Sequence, residues 1–332
     1  MSQRVTIKSI AKDLGISHMT VSRALSNHPN VQKETRDAVL KRAAELGYVK
    51  SAAAKAMRGD RTAIVGLLLP NIVNEFYARY ANALAVACEE HALHLIIHLT
   101  GDDILLERRA LQRLVEVQAG AVVMVPAPGD WQFERPLLKS MRVIQLIRHR
   151  VLEQPASSVL IDDSTALAHA VGQLAAKNHR KIAYVGGEAT LSSGAERLAA
   201  FLNGLSQAGL GRDETLEFTD APSFDLGRSS AKAILDRGDV DAVVCGGFEI
   251  SNGILSALLE ADRSLNSGPE FVGYGDPGHY KWIGGGVSTI GLPVEELAAR
   301  TLTCLTAEQQ AATHSLPANL ILRGKMQSFE NG

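Results

Sequence analysis

The sequence predicts a small all-α head joined to a large α/β body with parallel sheets, and three observations carry that prediction. Residues 5–49 hold three short amphipathic patterns, the first two separated by a glycine-containing turn. Beyond residue 62, short apolar runs alternate with amphipathic helical stretches, the pattern of parallel strands covered on both faces by helices. Charge divides at the same point. Residues 1–62 carry 12 Lys/Arg and 5 Asp/Glu, a net of +7, and the remainder carries 22 and 31, a net of −9. A basic head on an acidic body points to a polyanion that meets the head alone; a solvated charged surface would give the same count.

At 332 residues the chain exceeds one compact domain, and a composition of 46% hydrophobic and 21% charged residues supplies a sizeable core. In the head, a first helix is expected over 7–14, capped by Thr6 and ended by Gly15, with Ile10, Ala11 and Leu14 on one face. Ser17 caps a second helix over 18–26 that buries Val21 and Leu25. A third, over 33–46, buries Val39, Ala43 and Leu46 and stops at Gly47. The second helix directs His18, Met19, Thr20, Ser22 and Arg23 outward. An arginine there can grip guanine O6 and N7 in a major groove, and small hydroxyls such as Ser17, Thr20 and Ser22 suit close approach to phosphate.

The segment VTIKSIAKDLGISHMTVSRALSNHPNVQKETRDAVLKRAAELGY resembles the DNA-binding head of the lactose/galactose repressor (LacI/GalR) family. The T-V-S-R core, the preceding A-x-x-x-G-[IV]-S and the later T-R-x-x-V…A-x-x-L-G-Y stand in register over the first 48 residues. The resemblance implies a helix-turn-helix over 1–49 in which His18, Met19 and Arg23 face base edges. It makes Thr6, Ser17, Ser22, Asn30, Thr35 and Tyr48 backbone contacts. Met19 stands where relatives often carry a polar group, and its thioether suits a thymine methyl. Residues 50–61 correspond to a hinge helix that orders on DNA, with Lys55 a further contact and Met57 in the position of a minor-groove wedge; a flexible tether is the alternative.

In the body, strands are expected over 64–69, 95–99, 121–125, 143–147, 181–185, 242–245 and 271–274. Helices are expected over 75–91, 104–118, 165–178, 195–208 and 250–261. Ligands of such folds collect beyond the carboxyl ends of the strands, here Pro70-Asn71, Arg148-His149, Gly186-Gly187, Gly246-Gly247 and Gly275-Asp276. The resemblance continues through GLLLPNIVNEFYARYANAL, NHRKIAYVGG, GAERLAAF and FVGYGDP. It implies that 62–332 is a two-lobed, periplasmic-binding-protein-like effector domain with three crossovers. The N-lobe would take about 62–161 and 291–319, the C-lobe about 162–290 and 320–330.

Other functions lack their signatures. Gly186-Gly187 and Gly284-Gly285-Gly286 form no GxGxxG after a strand, and GxxxxGK[ST], HExxH and GxSxG are absent, so neither an enzyme nor a cofactor is expected. His91, His94 and His98 read as helix-end and strand positions rather than metal ligands. Cys88, Cys245 and Cys304 form no CxxC pair and sit in apolar runs, as core thiols of a reducing cytosol do. The segment MSQRVTIKSI has no secretory h-region, and no apolar run approaches the ~18 residues that cross a bilayer. A cytoplasmic repressor without a membrane partner is expected, binding a pseudo-palindromic operator as a homodimer, without the leucine heptads that make tetramers of some relatives. Whether its effector releases or promotes DNA binding is open.

The effector expectation rests on departures from the family pattern. Arg148, Phe248 and Gly275 stand where sugar-binding relatives place Asp, Leu292 stands in place of a Gln, and Arg197 is retained. Two cleft arginines favour a carboxylate or phosphate. Asn71 and Ser193 are further polar candidates, with Phe76, Tyr77, Phe224 and Phe248 as the apolar wall and Asp276 as the shifted acid. The alternative is that Arg148 pairs with Asp276 or another acid and the ligand is neutral.

Overall fold

The computed structural model describes residues 5–48, 62–129, 135–261, 268–307 and 310–326. They fall in two compact units, residues 1–61 and 62–332.

The first unit is three helices, α1 (Ile7–Leu14), α2 (His18–Leu25) and α3 (Lys33–Glu45). Local chemistry sets their ends. Thr6 caps α1 in a reciprocal box: its Oγ1 accepts from the Ser9 N–H at 3.3 Å, and the Thr6 N–H donates to Ser9 Oγ at 2.8 Å. Gly15 ends α1 at φ 65°, a left-handed turn that costs glycine nothing. Ser17 caps α2 by accepting from the Thr20 N–H at 3.0 Å. Ile10, Ala11, Val21, Ala24, Val31, Val39 and Ala43 form the core. Leu25, Leu14 and Leu46 are only half-buried. Ala24, one turn from Val21 on the same face, takes the buried place expected of Leu25.

The second unit carries two six-stranded sheets among the described residues, ordered β11-β5-β4-β3-β1-β2 and β12-β10-β9-β8-β6-β7. The first contains β1 (Ile64–Leu69), β2 (His94–Leu99), β3 (Ala121–Met124), β4 (Arg142–Ile147), β5 (Ser157–Asp162) and β11 (Thr313–Pro317). The second contains β6 (Ile182–Gly187), β7 (Glu217–Asp220), β8 (Ala242–Gly246), β9 (Glu270–Tyr274), β10 (Ser288–Gly291) and β12 (Asn319–Ile321). Every pairing is parallel except β10 with β12. The central strands are almost wholly buried, as strands sandwiched between helices must be.

Helices α4 (Glu75–Glu90), α5 (Ile104–Glu116), α6 (Arg135–Leu138) and α11 (Val294–Thr306) accompany the first sheet. Helices α7 (Ser164–Ala176), α8 (Ser192–Gln207), α9 (Phe224–Arg237) and α10 (Phe248–Glu260) accompany the second. The chain passes between sheets three times: at Asp162–Asp163 after β5, at Leu292–Pro293 after β10, and at Ala318 between β11 and β12. The Ala318 N–H donates to the Asp162 carbonyl at 2.8 Å, tying the third crossing to the first. Strands β5, β7, β10, β11 and β12 were not among those expected from the sequence. They are short or rich in Ser, Thr and Glu, and β7, β11 and β12 lie at or next to sheet edges where apolar runs are not required.

His91 is the C-cap of α4, and His94 and His98 lie on β2. Cys88 and Cys245 are buried and Cys304 half-buried, all as free thiols. Among the described residues no helix is long and apolar enough to cross a membrane, and no cluster of His, Cys, Asp or Glu could hold a metal.

Candidate functional sites: a nucleic-acid face and a ligand cleft

Helix α2 buries Val21 and Ala24 and turns its other face outward. His18, Met19 and Arg23 are exposed there, Met19 at 55%. Arg23 and His18 make no hydrogen bond or ion pair among the described residues. Two other arginines of the unit are spent internally. Arg36 donates to the His28 and Val31 carbonyls at 2.9 and 3.2 Å, bracing the loop into α3, and Arg42 pairs with Asp13 at 2.6 Å and Glu45 at 3.0 Å.

The backbone-contact candidates fall into two groups. Thr6 and Ser17 are exposed but already serve as N-caps, and the Ser17 and Thr20 hydroxyls lie 2.8 Å apart. A helix N-terminus with a capping hydroxyl is a ready phosphate seat, so the two uses are compatible. Asn30 is exposed, its N–H donating to His28 Nδ1 at 3.3 Å, whereas Thr20, Ser22, Thr35 and Tyr48 are half-buried. Tyr48 packs on the three-helix core, and its N–H closes the end of α3 on the Ala43 carbonyl at 2.8 Å. Lys55 and Met57 lie outside the described residues.

In the second unit a cleft opens where the carboxyl ends of both sheets meet the first two crossings. The first sheet supplies Asn71 after β1 and Arg148 after β4, and α4 supplies Phe76 and Tyr77. The second supplies Ser193 and Arg197 from α8, Phe248 and Glu249 from α10, and Tyr274 at the end of β9. Ile161 and Leu292 reach in from beside the crossings. Tyr184 packs against the strand ends beside the cleft and leaves room only for glycine: a Cβ on Gly246, which lines the cleft, or on Gly186 would lie 2.2 or 2.3 Å from its hydroxyl.

Seven of the nine ligand candidates therefore converge: Asn71, Phe76, Tyr77, Arg148, Ser193, Arg197 and Phe248. Phe224 and Asp276 do not line the cleft. Phe224 opens α9 with 37% of its surface exposed, and its carbonyl is packed against Gly253. Asp276 is held by Arg323, Nη1 to Oδ1 at 2.5 Å and Nη2 to Oδ2 at 3.0 Å, a bidentate pair that takes its carboxylate out of use.

Both cleft arginines have carboxylate partners, Asp102 and Asp163, that were not among the sequence candidates, although pairing of Arg148 with another acid was the alternative left open. Arg148 pairs with Asp102, not Asp276, through Nη2 alone, and its buried Nε has no partner. Arg197 donates from Nε to Asp163 at 2.6 Å and from Nη1 to the Gly246 carbonyl at 3.2 Å, and its guanidinium lies 4.5 Å from the Tyr274 ring centroid. The Tyr274 hydroxyl donates to the same Asp163 oxygen at 2.5 Å. Burial pulls the Arg197 pKa down, and Tyr274 and Asp163 outweigh it and raise it. Burial pushes the Asp102 carboxyl up, opposed by Arg148. Burial likewise raises Tyr77 to about 12, so it is a neutral hydroxyl at any working pH. Asp163 stands on the first crossing, so the Arg197–Asp163–Tyr274 cluster joins the ligand space to a segment between the lobes.

Comparison with known proteins decides what these sites belong to. The model for "Bacterial regulatory proteins, lacI family" matches residues 6–51. That for "Periplasmic binding proteins and sugar binding domain of LacI family" matches residues 62–278. The chain belongs to the LacI family. Catabolite control protein A of Streptococcus mutans serotype c is 26% identical over 303 residues, covering 91% of this chain and 90% of that relative. The Staphylococcus epidermidis protein of the same name is 25% identical, covering 91% and 92%. Among solved structures, a lac repressor dimer bound to operator and the anti-inducer ONPF aligns over 98% of this chain and 99% of its own, with a TM-score of 0.79 at 18% identity. A complex of the transcriptional regulator CelR with cellobiose aligns over 96% and 99%, with a TM-score of 0.69 at 25% identity.

This LacI-family chain is thus a DNA-binding transcription regulator that responds to a small-molecule effector, and its relatives are regulators rather than enzymes. Its fold is the helical head and two-lobed parallel α/β domain expected from the sequence.

Proposed function

We propose that this protein is a cytoplasmic repressor that binds a pseudo-palindromic operator as a homodimer, and that a small anionic effector in the inter-lobe cleft sets its operator affinity. On this reading 1–49 is the DNA-binding domain, 50–61 the hinge and 62–332 the effector domain. His18, Met19 and Arg23 read base edges. Thr6, Ser17, Thr20, Ser22, Asn30, Thr35 and Tyr48 position the backbone, and Lys55 and Met57 belong to the hinge. The solved dimer of the lac repressor on its operator supports the two-fold arrangement.

One observation carries the effector reading: Arg148 is only 5% exposed, lines the cleft, and leaves its Nε without a partner. A buried guanidinium edge without an acceptor costs free energy that a ligand oxygen would recover. Asn71, Tyr77, Ser193 and Arg197 surround the same space, with Phe76 and Phe248 as apolar walls. A second reading, a neutral sugar, is favoured by the carboxylate partners of both arginines and by the cellobiose complex of CelR.

A thermal-shift screen of neutral sugars and small organic acids separates the readings. An anionic effector predicts stabilisation by acids that disappears in Arg148→Ala. Stabilisation by neutral sugars alone, or by acids equally in the variant, contradicts it. Footprinting of the promoter region should show two-fold symmetry, and a footprint without it removes the dimer.

A further inference from the structure

The cleft holds a second group whose chemistry an anion alone does not answer. Glu249 opens the first turn of α10 directly after Phe248 and lines the cleft. It is half-buried and makes no hydrogen bond or ion pair among the described residues. Burial raises its pKa. The N-terminal end of a helix tolerates an acidic residue on a solvated surface, but a carboxylate turned into a cleft loses water and keeps only the helix dipole in return.

Glu249 and Arg148 face one space. Both line the cleft, one from each lobe, and the buried Tyr77 hydroxyl lies within electrostatic range of both. The charges there do not balance. Arg148 and Arg197 stand against Asp102, Asp163 and Glu249, with Glu188 close enough to Asp102 to raise its pKa further. A ligand bearing only negative charge would satisfy Arg148 and add to an existing excess of carboxylates. A neutral polyol would leave Glu249 without a counter-charge and Arg148 with only its single Nη2 bond to Asp102. One ligand class answers both.

We infer that the effector is a zwitterion of the amino-acid type, its carboxylate on the Arg148 guanidinium and its ammonium on Glu249, with the apolar part against Phe76 and Phe248. This rests on the cleft being the effector site, and it deepens that reading. Because Glu249 comes from the C-lobe and Arg148 from the N-lobe, such a ligand bridges the lobes through two opposite charge pairs. Each pair becomes complete only when the cleft closes on the ligand, so binding favours the closed form over the open one.

The test uses matched compounds with the full-length protein. Each of the twenty protein amino acids is compared with the acid lacking its amine and the amine lacking its carboxylate, such as L-phenylalanine, 3-phenylpropionate and phenethylamine. Gluconate and glucose serve as the sugar acid and neutral sugar. Melting midpoints and calorimetric affinities are measured for wild type, Glu249→Gln and Arg148→Gln. At least one amino acid should raise the midpoint while its two truncated forms do not. Its affinity should fall about tenfold or more in each variant, the scale of one lost charge-assisted hydrogen bond. Glu249→Gln should bind the amine-free acid more tightly than wild type does, because an uncompensated carboxylate is gone.

Glu249 is half-exposed at a helix end, so that variant keeps the test readable if Arg148→Gln does not fold. Amine-free acids or gluconate stabilising wild type and Glu249→Gln alike would overturn the zwitterion and leave the anionic effector standing. Glucose alone acting, with no dependence on Arg148, would overturn both. No amine-dependent stabilisation at millimolar concentration would overturn the zwitterion as well.

Discussion

In the head, Arg23 stands exposed on α2 with no partner among the described residues, whereas in the cleft Arg148 and Arg197 are each buried against a carboxylate. The contrast follows from what each region meets. A face that docks on a polyanion gains by leaving its cations bare, since phosphate neutralises them and releases counterions. A cleft that is empty for part of its working life cannot hold a bare guanidinium in low dielectric, so it carries its own counter-charges. Affinity then comes from what the internal pairs leave over: Arg148 meets Asp102 through Nη2 alone. The head is open to its ligand by exposure, and the cleft by incomplete pairing.

The largest expected effect tests the internal pairing. Asp163→Ala removes the carboxylate held by Arg197 and Tyr274 and leaves a buried cation uncompensated. It should cost about 3–5 kcal/mol, lowering the melting midpoint of the second unit by on the order of 10 °C by scanning calorimetry. Asp13→Ala, which breaks the exposed pair with Arg42 in the head, should leave the melting midpoint unchanged within error. Equal effects from the two would break the comparison.

A second expectation concerns pH. Glu107 is wholly buried, accepts from the Ala127 N–H at 2.6 Å and pairs with Arg150. Burial raises its pKa from 4.5 to about 7, against the pull of Arg150 and of the Ala127 N–H. The folded state therefore holds a proton there that the unfolded state has released. This group's contribution is fully present below about pH 4.5 and is lost as pH rises to about 7, a change on the order of 2–3 kcal/mol. Denaturant titrations at steps across that window should show stability falling more steeply in wild type than in Glu107→Gln. Parallel profiles would mean that Glu107 stays ionised.

Arg23→Ala should cost about 1–3 kcal/mol of operator affinity and relax specificity at one base position per half-site, measured by anisotropy on a panel of altered operators. Equal loss on every sequence would reassign Arg23 to phosphate. The smallest effect is expected at Thr6, where Thr6→Ala removes the α1 cap and should destabilise the head by about 1 kcal/mol in urea titration.

The same contrast explains how legible each region was. The head's caps, turns and outward face lie within 44 consecutive residues, so Thr6, Gly15 and Ser17 announce their roles in the order in which they act. Two core positions were misplaced: Leu25 and Leu46 are half-buried, and Ala24 takes the place expected of Leu25. The cleft is drawn from nine separate segments between Pro70 and Leu292. The strand-end rule found Asn71 and Arg148, and departures from the family pattern singled out Arg148 and Phe248. Neither could find Asp102 or Asp163, which lie 46 and 34 residues from the arginines they neutralise. Asp163 follows β5, a strand whose Ser157-Ser158 start hides it from an apolar-run search. Asp276 misled for a related reason: the residue that captures it, Arg323, follows β12, which was also unseen.

The central claim is that occupancy of the cleft sets the state of the head, and linkage makes it measurable in either direction. Operator anisotropy is measured with full-length wild type and with Arg148→Gln, with and without the compound that most stabilises wild type. In wild type the compound should shift the operator binding midpoint, and operator should shift the affinity for the compound by the same factor. In Arg148→Gln both shifts should vanish at compound concentrations that saturate wild type. A shift of equal size in Arg148→Gln, or a stabilising compound that leaves the wild-type operator midpoint unmoved, would contradict the account.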